Sequence, residues 1–186
     1  INEALMAYVE TADINYTSPV TGAVIQYDIT YDDVNSDMPA LFVHHTFNGD
    51  KTGITQEIKR RLADYGFFIA VINMTEDCSA AGVVDFKHVV DLVLRNYAAQ
   101  TDSGALYMVG YSGGGGFTYK AIIMMPDKFR MGVAHFGMSD YGYDLTYGWH
   151  AQSAAERATI EARVGGTPVG VPDKYLNRMA WYALRN

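Results

Sequence analysis

A serine flanked by glycines is the feature of this 186-residue chain that points most directly to chemistry. The segment Gly110-Tyr111-Ser112-Gly113-Gly114 follows the apolar run 106–109 and precedes a helical pattern over 117–125. A strand, a serine between glycines and a helix form the context in which G-x-S-x-G marks a nucleophile elbow. The pattern predicts that Ser112 is a nucleophile in acyl transfer; the alternative is that it only caps the helix.

A serine nucleophile also needs hydrogen-bond donors for the oxyanion that develops on the attacked carbonyl. The amide of Gly113, at the start of the helix, is the first predicted donor. The second is predicted in the loop after the first parallel strand, at the backbone amide of Thr46 or Phe47. The glycine tract lacks the Gly-Lys-Ser/Thr ending of a phosphate-binding loop and the acidic residue of a dinucleotide fold, so no cofactor is predicted.

The base is harder to identify, because five histidines are available: His44, His45, His88, His135 and His150. His44 and His45 end the first parallel strand beside the predicted elbow, and we expect one of them to shape the oxyanion loop; His44 as the base is an alternative. His150 is a second alternative, with Asp140 or Asp144 to orient it. We expect His88 to face solvent and His135 to lie buried in its strand.

Metal catalysis is not predicted. The histidines and carboxylates lack an H-E-x-x-H motif, and paired cysteines are absent because Cys78 is the only cysteine. Adjacent His44 and His45 would point to opposite sides of a strand and cannot both face one ion.

An α/β fold must position these residues. Short apolar runs alternate with helical patterns from residue 40 onward, at 40–43, 67–72, 106–109 and 131–136. This rhythm predicts a mostly parallel sheet with helices on both faces, preceded by antiparallel strands within 13–33, of which 23–27 is the clearest.

The helical patterns differ in character. The first has Ile54, Ile58 and Leu62 on one stripe, which directs the basic run 59–61 largely outward. The second has its apolar stripe at Phe86, Val89, Val90, Val93 and Tyr97. Two more helices are predicted over 151–164 and 172–185.

Composition narrows the function classes. The length suits one domain over residues 1–186, and 49% of the residues are hydrophobic. A net charge of −7 without a long basic stretch argues against nucleic acid and anionic membranes as partners. The beginning of the chain leaves the cellular compartment open.

The chain resembles the α/β-hydrolases, and specifically their prolyl-oligopeptidase-like branch of serine peptidases and esterases. The likeness extends from about residue 39 to residue 186, and the elbow is its most specific part. The segments that carry it are 109–115, 126–130, 132–140, 165–168 and 172–175. Two departures are His44-His45-Thr46-Phe47 in place of His-Gly-Gly, and Thr75-Glu76-Asp77 in place of an arginine-glycine turn.

The resemblance implies hydrolysis of a small ester or a peptide, with esters fitting slightly better. It also implies a triad acid and histidine on strands that would follow residue 186, so that the C-terminal part of the fold is expected to be missing. An alternative is a non-catalytic binding or interaction module, in which a partner chain or a missing segment covers the exposed sheet edge. A further alternative is an enzyme rewired to use His150 or His44.

Overall fold

A six-stranded sheet organises the chain. The computed structural model describes residues 7–46, 49–73, 78–137, 140, 142 and 148–179. The strands are β1 Tyr8–Thr17, β2 Val24–Asp32, β3 Met38–His44, β4 Phe68–Asn73, β5 Thr101–Tyr111 and β6 Met131–His135, in the order β1-β2-β4-β3-β5-β6. The helices are α1 Gln56–Asp64, α2 Ala80–Asn96, α3 Gly113–Met124, α4 Ala154–Val164 and α5 Pro172–Arg178, with 3-10 turns at Lys51–Gly53 and Trp149–Ala151.

The strand directions confirm the predicted mixed sheet. β2 is antiparallel to both β1 and β4, whereas β4, β3, β5 and β6 run parallel to one another. The carboxyl ends of β3 and β5 therefore lie side by side, with His44 opposite Gly110. This register brings the loop after β3 next to the predicted elbow after β5.

The sheet is packed on both faces, as the alternation of strands and helices predicts. On one face Phe42 belongs to a large core that includes Phe86 of α2 and Phe117 of α3, together with side chains of α4 and α5. On the other face Val43 packs with Ile54 in a smaller core beside α1. The larger core supports the elbow side of the sheet.

Local capping explains where the helices begin and end. The Oγ of Ser79 accepts a hydrogen bond from the Gly82 amide at 3.1 Å before α2. Ser153 and Glu156 form a capping box before α4, which ends at Gly165 with a φ of +90°. The helix predicted over 172–185 is present as α5 through residue 178, and residues 180–186 lie outside the described part.

Three sequence-based expectations are wrong. Ile58, expected on the apolar stripe of the first helix, is 43% exposed. Lys59 of α1 does not point outward: it is 5% exposed, and its Nζ lies 2.7 Å from Oδ2 of Asp28 on β2. His135 is exposed instead of buried, because β6 is the edge strand of the described sheet. Val133 on the same strand is also exposed. His88 is half-buried on α2. None of the helices in the described ranges is long and apolar enough to cross a membrane.

Candidate active site

Ser112 lies on a strained turn between β5 and α3. Its backbone has φ +52° and ψ −113°, a conformation that non-glycine residues adopt rarely and that is found at functional sites. The turn is held by two backbone bonds, from the Ser112 amide to the His135 carbonyl at 2.8 Å and from the Gly116 amide to the Ser112 carbonyl at 3.1 Å. The Ser112 side chain makes no capping hydrogen bond to α3, and the residue is exposed. The geometry is therefore that of an elbow and not of a helix cap.

Two glycines allow the backbones around the elbow to meet. A Cβ on Gly110 would lie 2.0 Å from the Gly114 carbonyl oxygen. A Cβ on Gly114 would lie 2.4 Å from the His45 carbonyl oxygen. No side chain fits at either position, so these glycines are required by close packing. The second contact also joins α3 directly to the loop after β3.

The predicted oxyanion donors lie on these two adjoining segments. Gly113 is the first residue of α3, and the amides of a helix's first turn have no partner inside the helix. That helix end also carries a partial positive charge that favours an anion. Thr46 is exposed in the loop after β3, where its carbonyl accepts a hydrogen bond from the Gly49 amide at 2.9 Å. Phe47, the other predicted donor, lies outside the described residues.

His44 is buried beneath the elbow. Its ring lies 4.8 Å from that of Phe86 and 4.7 Å from that of Phe117, between centroids. Burial, with a smaller contribution from neighbouring His45, lowers the pKa of His44 to about 3. Its Nε2 has no hydrogen-bond partner in the part of the chain that the structure describes. His44 is thus a neutral packing residue at neutral pH.

The other candidate base and acid lie on one connected segment. His150 is exposed in the turn Trp149–Ala151, and its amide donates to the Gly142 carbonyl at 3.3 Å. The Gly142 amide in turn donates to Oδ1 of Asp140 at 2.8 Å. No contact among the described residues joins either side chain to Ser112, and Asp144 lies outside the described part.

Exposed aromatic rings border the elbow. Tyr111, directly before Ser112, is 37% exposed, and its ring centroid lies 5.5 Å from that of His135. Phe136 is 65% exposed with a φ of +54°, and its ring lies 4.2 Å from that of His135. These rings present an apolar surface beside the serine.

Sequence reasoning missed a buried charge cluster behind the loop after β3. Lys51 and Lys59 both reach the carboxylate of Asp28, and all three residues are at most 6% exposed. An acidic residue between Tyr27 and Ile29 in a predicted strand was an available signal, because a buried carboxylate needs a partner. Its partners follow 23 and 31 residues later, at spacings that no local pattern reveals.

Metal ligation has no support in the described ranges. No three His, Cys, Asp or Glu side chains converge there in an arrangement that could hold an ion.

The fold is similar to that of several solved hydrolases. A fluorophosphonate-binding serine hydrolase of Staphylococcus aureus matches with a TM-score of 0.66 and 18% identity, over 97% of this chain and 72% of that one. An esterase of Pyrobaculum calidifontis matches with a TM-score of 0.65 and 19% identity, over 92% and 60%. An acylaminoacyl peptidase of Pyrococcus horikoshii matches with a TM-score of 0.72 and 15% identity, over 96% and 30%. At these identities the likeness establishes the α/β-hydrolase fold.

The family is established by sequence. No curated protein sequence matches the chain significantly. The family model of the prolyl oligopeptidase family, however, matches residues 62–168, which is more than half of the chain and includes the elbow. The chain therefore belongs to the prolyl oligopeptidase family of serine hydrolases, which act on ester or peptide bonds.

Proposed function

We propose that Ser112 is the nucleophile with which this chain cleaves an ester or peptide bond by acyl transfer. The observation that carries the proposal is the backbone of Ser112, an exposed non-glycine residue at φ +52° between β5 and α3. Such strain is retained where the surrounding structure enforces it, and here the close packing of Gly110 and Gly114 enforces it. The membership in a serine hydrolase family supports the same role.

The reaction follows from the positions of the serine and the neighbouring amides. Ser112 Oγ attacks the carbonyl carbon while its proton passes to a base, and the carbonyl oxygen becomes negative. The amides of Gly113 and of Thr46 or Phe47 are the proposed donors to that oxygen. The tetrahedral species then expels the alcohol or amine, which takes up the proton, and water hydrolyses the acyl-enzyme by the same route.

The base that accepts the Ser112 proton is proposed separately from the nucleophile. His44 does not suit the role, because it is buried between Phe86 and Phe117 and its pKa is about 3. Among the described residues His150, oriented by Asp140, is the alternative. If it is the base, His150→Gln will reduce kcat at least as strongly as loss of one catalytic group does, about a hundredfold or more. Full activity of that variant would remove His150 from consideration.

A panel of p-nitrophenyl esters and of peptide amides tests the proposal and identifies the preferred bond. The exposed aromatic rings of Tyr111 and Phe136 favour substrates with an apolar or aromatic group next to the carbonyl. Ser112→Ala should abolish turnover, by about a thousandfold or more, without changing the unfolding midpoint. Ser103→Ala is the matched control, since Ser103 is an exposed serine at the other end of the same strand. Retained turnover in Ser112→Ala would overturn the proposed nucleophile.

A second candidate is a non-catalytic interaction module that associates through the edge of the sheet. The observation in its favour is that Met131 and Val133 of the edge strand β6 are 57% and 46% exposed. Binding through this edge predicts association that Met131→Lys weakens, measured by sedimentation. A monomeric chain that hydrolyses esters would exclude this candidate.

A further inference from the structure

The loop between β3 and α1 carries Thr46, one of the proposed oxyanion donors, so the following inference rests on the proposed function. The loop meets the elbow where the His45 carbonyl approaches Gly114. A turn follows, closed by the bond from the Gly49 amide to the Thr46 carbonyl. A Cβ on Gly49 would lie 2.8 Å from Oγ1 of Thr46, so Gly49 lies close against Thr46. The loop then enters the 3-10 turn at Lys51.

Lys51 attaches this end of the loop to the body of the sheet. Its side chain is only 8% exposed, and its Nζ lies 2.8 Å from Oδ1 of Asp28 and 2.7 Å from Oδ1 of Asp13. Burial alone would lower the pKa of Lys51, but the hydrogen bonds to Asp13 and Asp28 outweigh it and raise the pKa. The ammonium is therefore charged and held between two carboxylates.

Asp28 is itself held from three sides. It lies on β2 opposite an irregularity in β1, where the register shifts between Thr11 and Ile14. The Asp13 amide, within that irregularity, donates to Oδ1 of Asp28 at 3.0 Å. Lys59 of α1 donates to the other oxygen at 2.7 Å. Because both of its oxygens accept hydrogen bonds, the Asp28 carboxylate has a defined position. Its contact with Lys51 can therefore fix the position of the loop.

We propose that Asp28 and Lys51 are positioning residues that hold the β3–α1 loop, and with it the Thr46 main chain, in register with the Gly113 amide. Burying charged groups is costly, and an apolar cluster of similar volume would stabilise the fold as well or better. A buried ion pair between a loop and a strand instead fixes the position of that end of the loop. Oxyanion donors act only from a defined distance, so a small displacement of the loop reduces the rate and leaves the binding of substrate intact.

Lys51→Met and Lys59→Met provide a matched comparison in the full chain. Each removes one ammonium from the same carboxylate, and the two lysines are almost equally buried, at 6% and 5% exposure. Only Lys51 belongs to the β3–α1 loop, whereas Lys59 lies on α1. We expect both variants to lower the urea midpoint similarly. Lys51→Met should reduce kcat for an ester by about tenfold or more with KM within about twofold, while Lys59→Met keeps kcat within about twofold.

A second pair of variants covers the case in which a methionine variant does not fold. Lys51→Arg and Lys59→Arg retain the charge but exchange a compact ammonium for a longer planar group. The expectation is the same: a reduced kcat at unchanged KM for the change at residue 51 only. In addition, the amides of Thr46 and Gly49 should exchange hydrogen faster in the Lys51 variants than in the Lys59 variants.

Equal effects on kcat at the two positions would overturn the inference and leave the proposed nucleophile standing. Turnover that survives in Ser112→Ala would instead overturn the proposed function, and the inference with it. The two failures are therefore distinguishable in one set of assays.

Discussion

The elbow between β5 and α3 and the loop between β3 and α1 meet at Gly114, yet their positions depend on different interactions. The elbow is held by backbone contacts: Gly110 and Gly114 have no side chain, and main-chain atoms fill the space where a Cβ would be. The loop is held by a side chain, through the buried ion pair of Lys51 with Asp28. The elbow thus depends on positions that have no side chain, whereas the loop depends on buried charged groups.

This difference has consequences for mutation. A methyl group cannot be added where two backbone segments are in close contact, because main-chain atoms cannot move aside as the end of a flexible side chain can. A buried charge cluster tolerates the loss of one member better when another partner remains. We therefore expect a substitution at an elbow glycine to abolish activity, and a single substitution in the buried charge cluster to reduce activity partially.

The largest effect is expected for Gly114→Ala. The added methyl would lie 2.4 Å from the His45 carbonyl oxygen and would separate α3 from the loop. We expect a loss of about 3 kcal/mol or more in the free energy of unfolding, at the upper end for overpacking, together with loss of activity. Urea unfolding and ester hydrolysis measure the two effects. Gly53→Ala is the control, since no atom lies within 4 Å of its Cβ position.

The next largest effect is expected for Asp28→Asn. The amide leaves buried Lys59 without the carboxylate it pairs with, and leaves Lys51 with only the exposed carboxylate of Asp13. This should destabilise the fold by about 3 kcal/mol, at the lower end for a broken buried ion pair. Burial alone would raise the pKa of Asp28, but the hydrogen bonds from Lys51, Lys59 and the Asp13 amide lower it overall. Urea unfolding at neutral pH measures the cost. A loss below 1 kcal/mol would mean that the cluster does not hold the loop.

The elbow could be predicted from the sequence, whereas the buried charge cluster beside the loop could not. The elbow was predictable because its glycines and serine are neighbours in the chain and follow the continuous apolar run 106–109. The burial of Lys59 was not, since its partner Asp28 lies 31 residues earlier and becomes adjacent only when β2 and α1 pack. His135 was predicted wrongly for a related reason: an apolar strand does not reveal whether a neighbour covers it.

His44 lies between the two regions and provides a test by pH. Its pKa is about 3 in the folded chain and near 6.5 when unfolded, so the unfolded state binds more protons between these values. The free energy of unfolding should consequently fall as the pH drops below 6.5, by up to about 1.4 kcal/mol per pH unit from this residue. His44→Leu should remove that contribution. Parallel pH curves for the two proteins in urea would contradict a buried neutral histidine.

The smallest effect is expected for Asp13→Asn. The Asp13 carboxylate also pairs with Lys51 but is 69% exposed, so its charge is screened by water. Its backbone bond to Asp28 does not depend on the side chain. We expect a change below about 1 kcal/mol in the free energy of unfolding and an unaltered kcat. A loss as large as that of Asp28→Asn would show that the exposed pair, and not the buried one, holds the loop.

Covalent labelling of the folded full chain with a fluorophosphonate, located by peptide mass spectrometry, tests the central claim most directly. The account predicts one modified residue, Ser112, with no labelling of Ser112→Ala and normal labelling of Ser103→Ala. A label on another residue, or an unlabelled Ser112 in the folded chain, would contradict it.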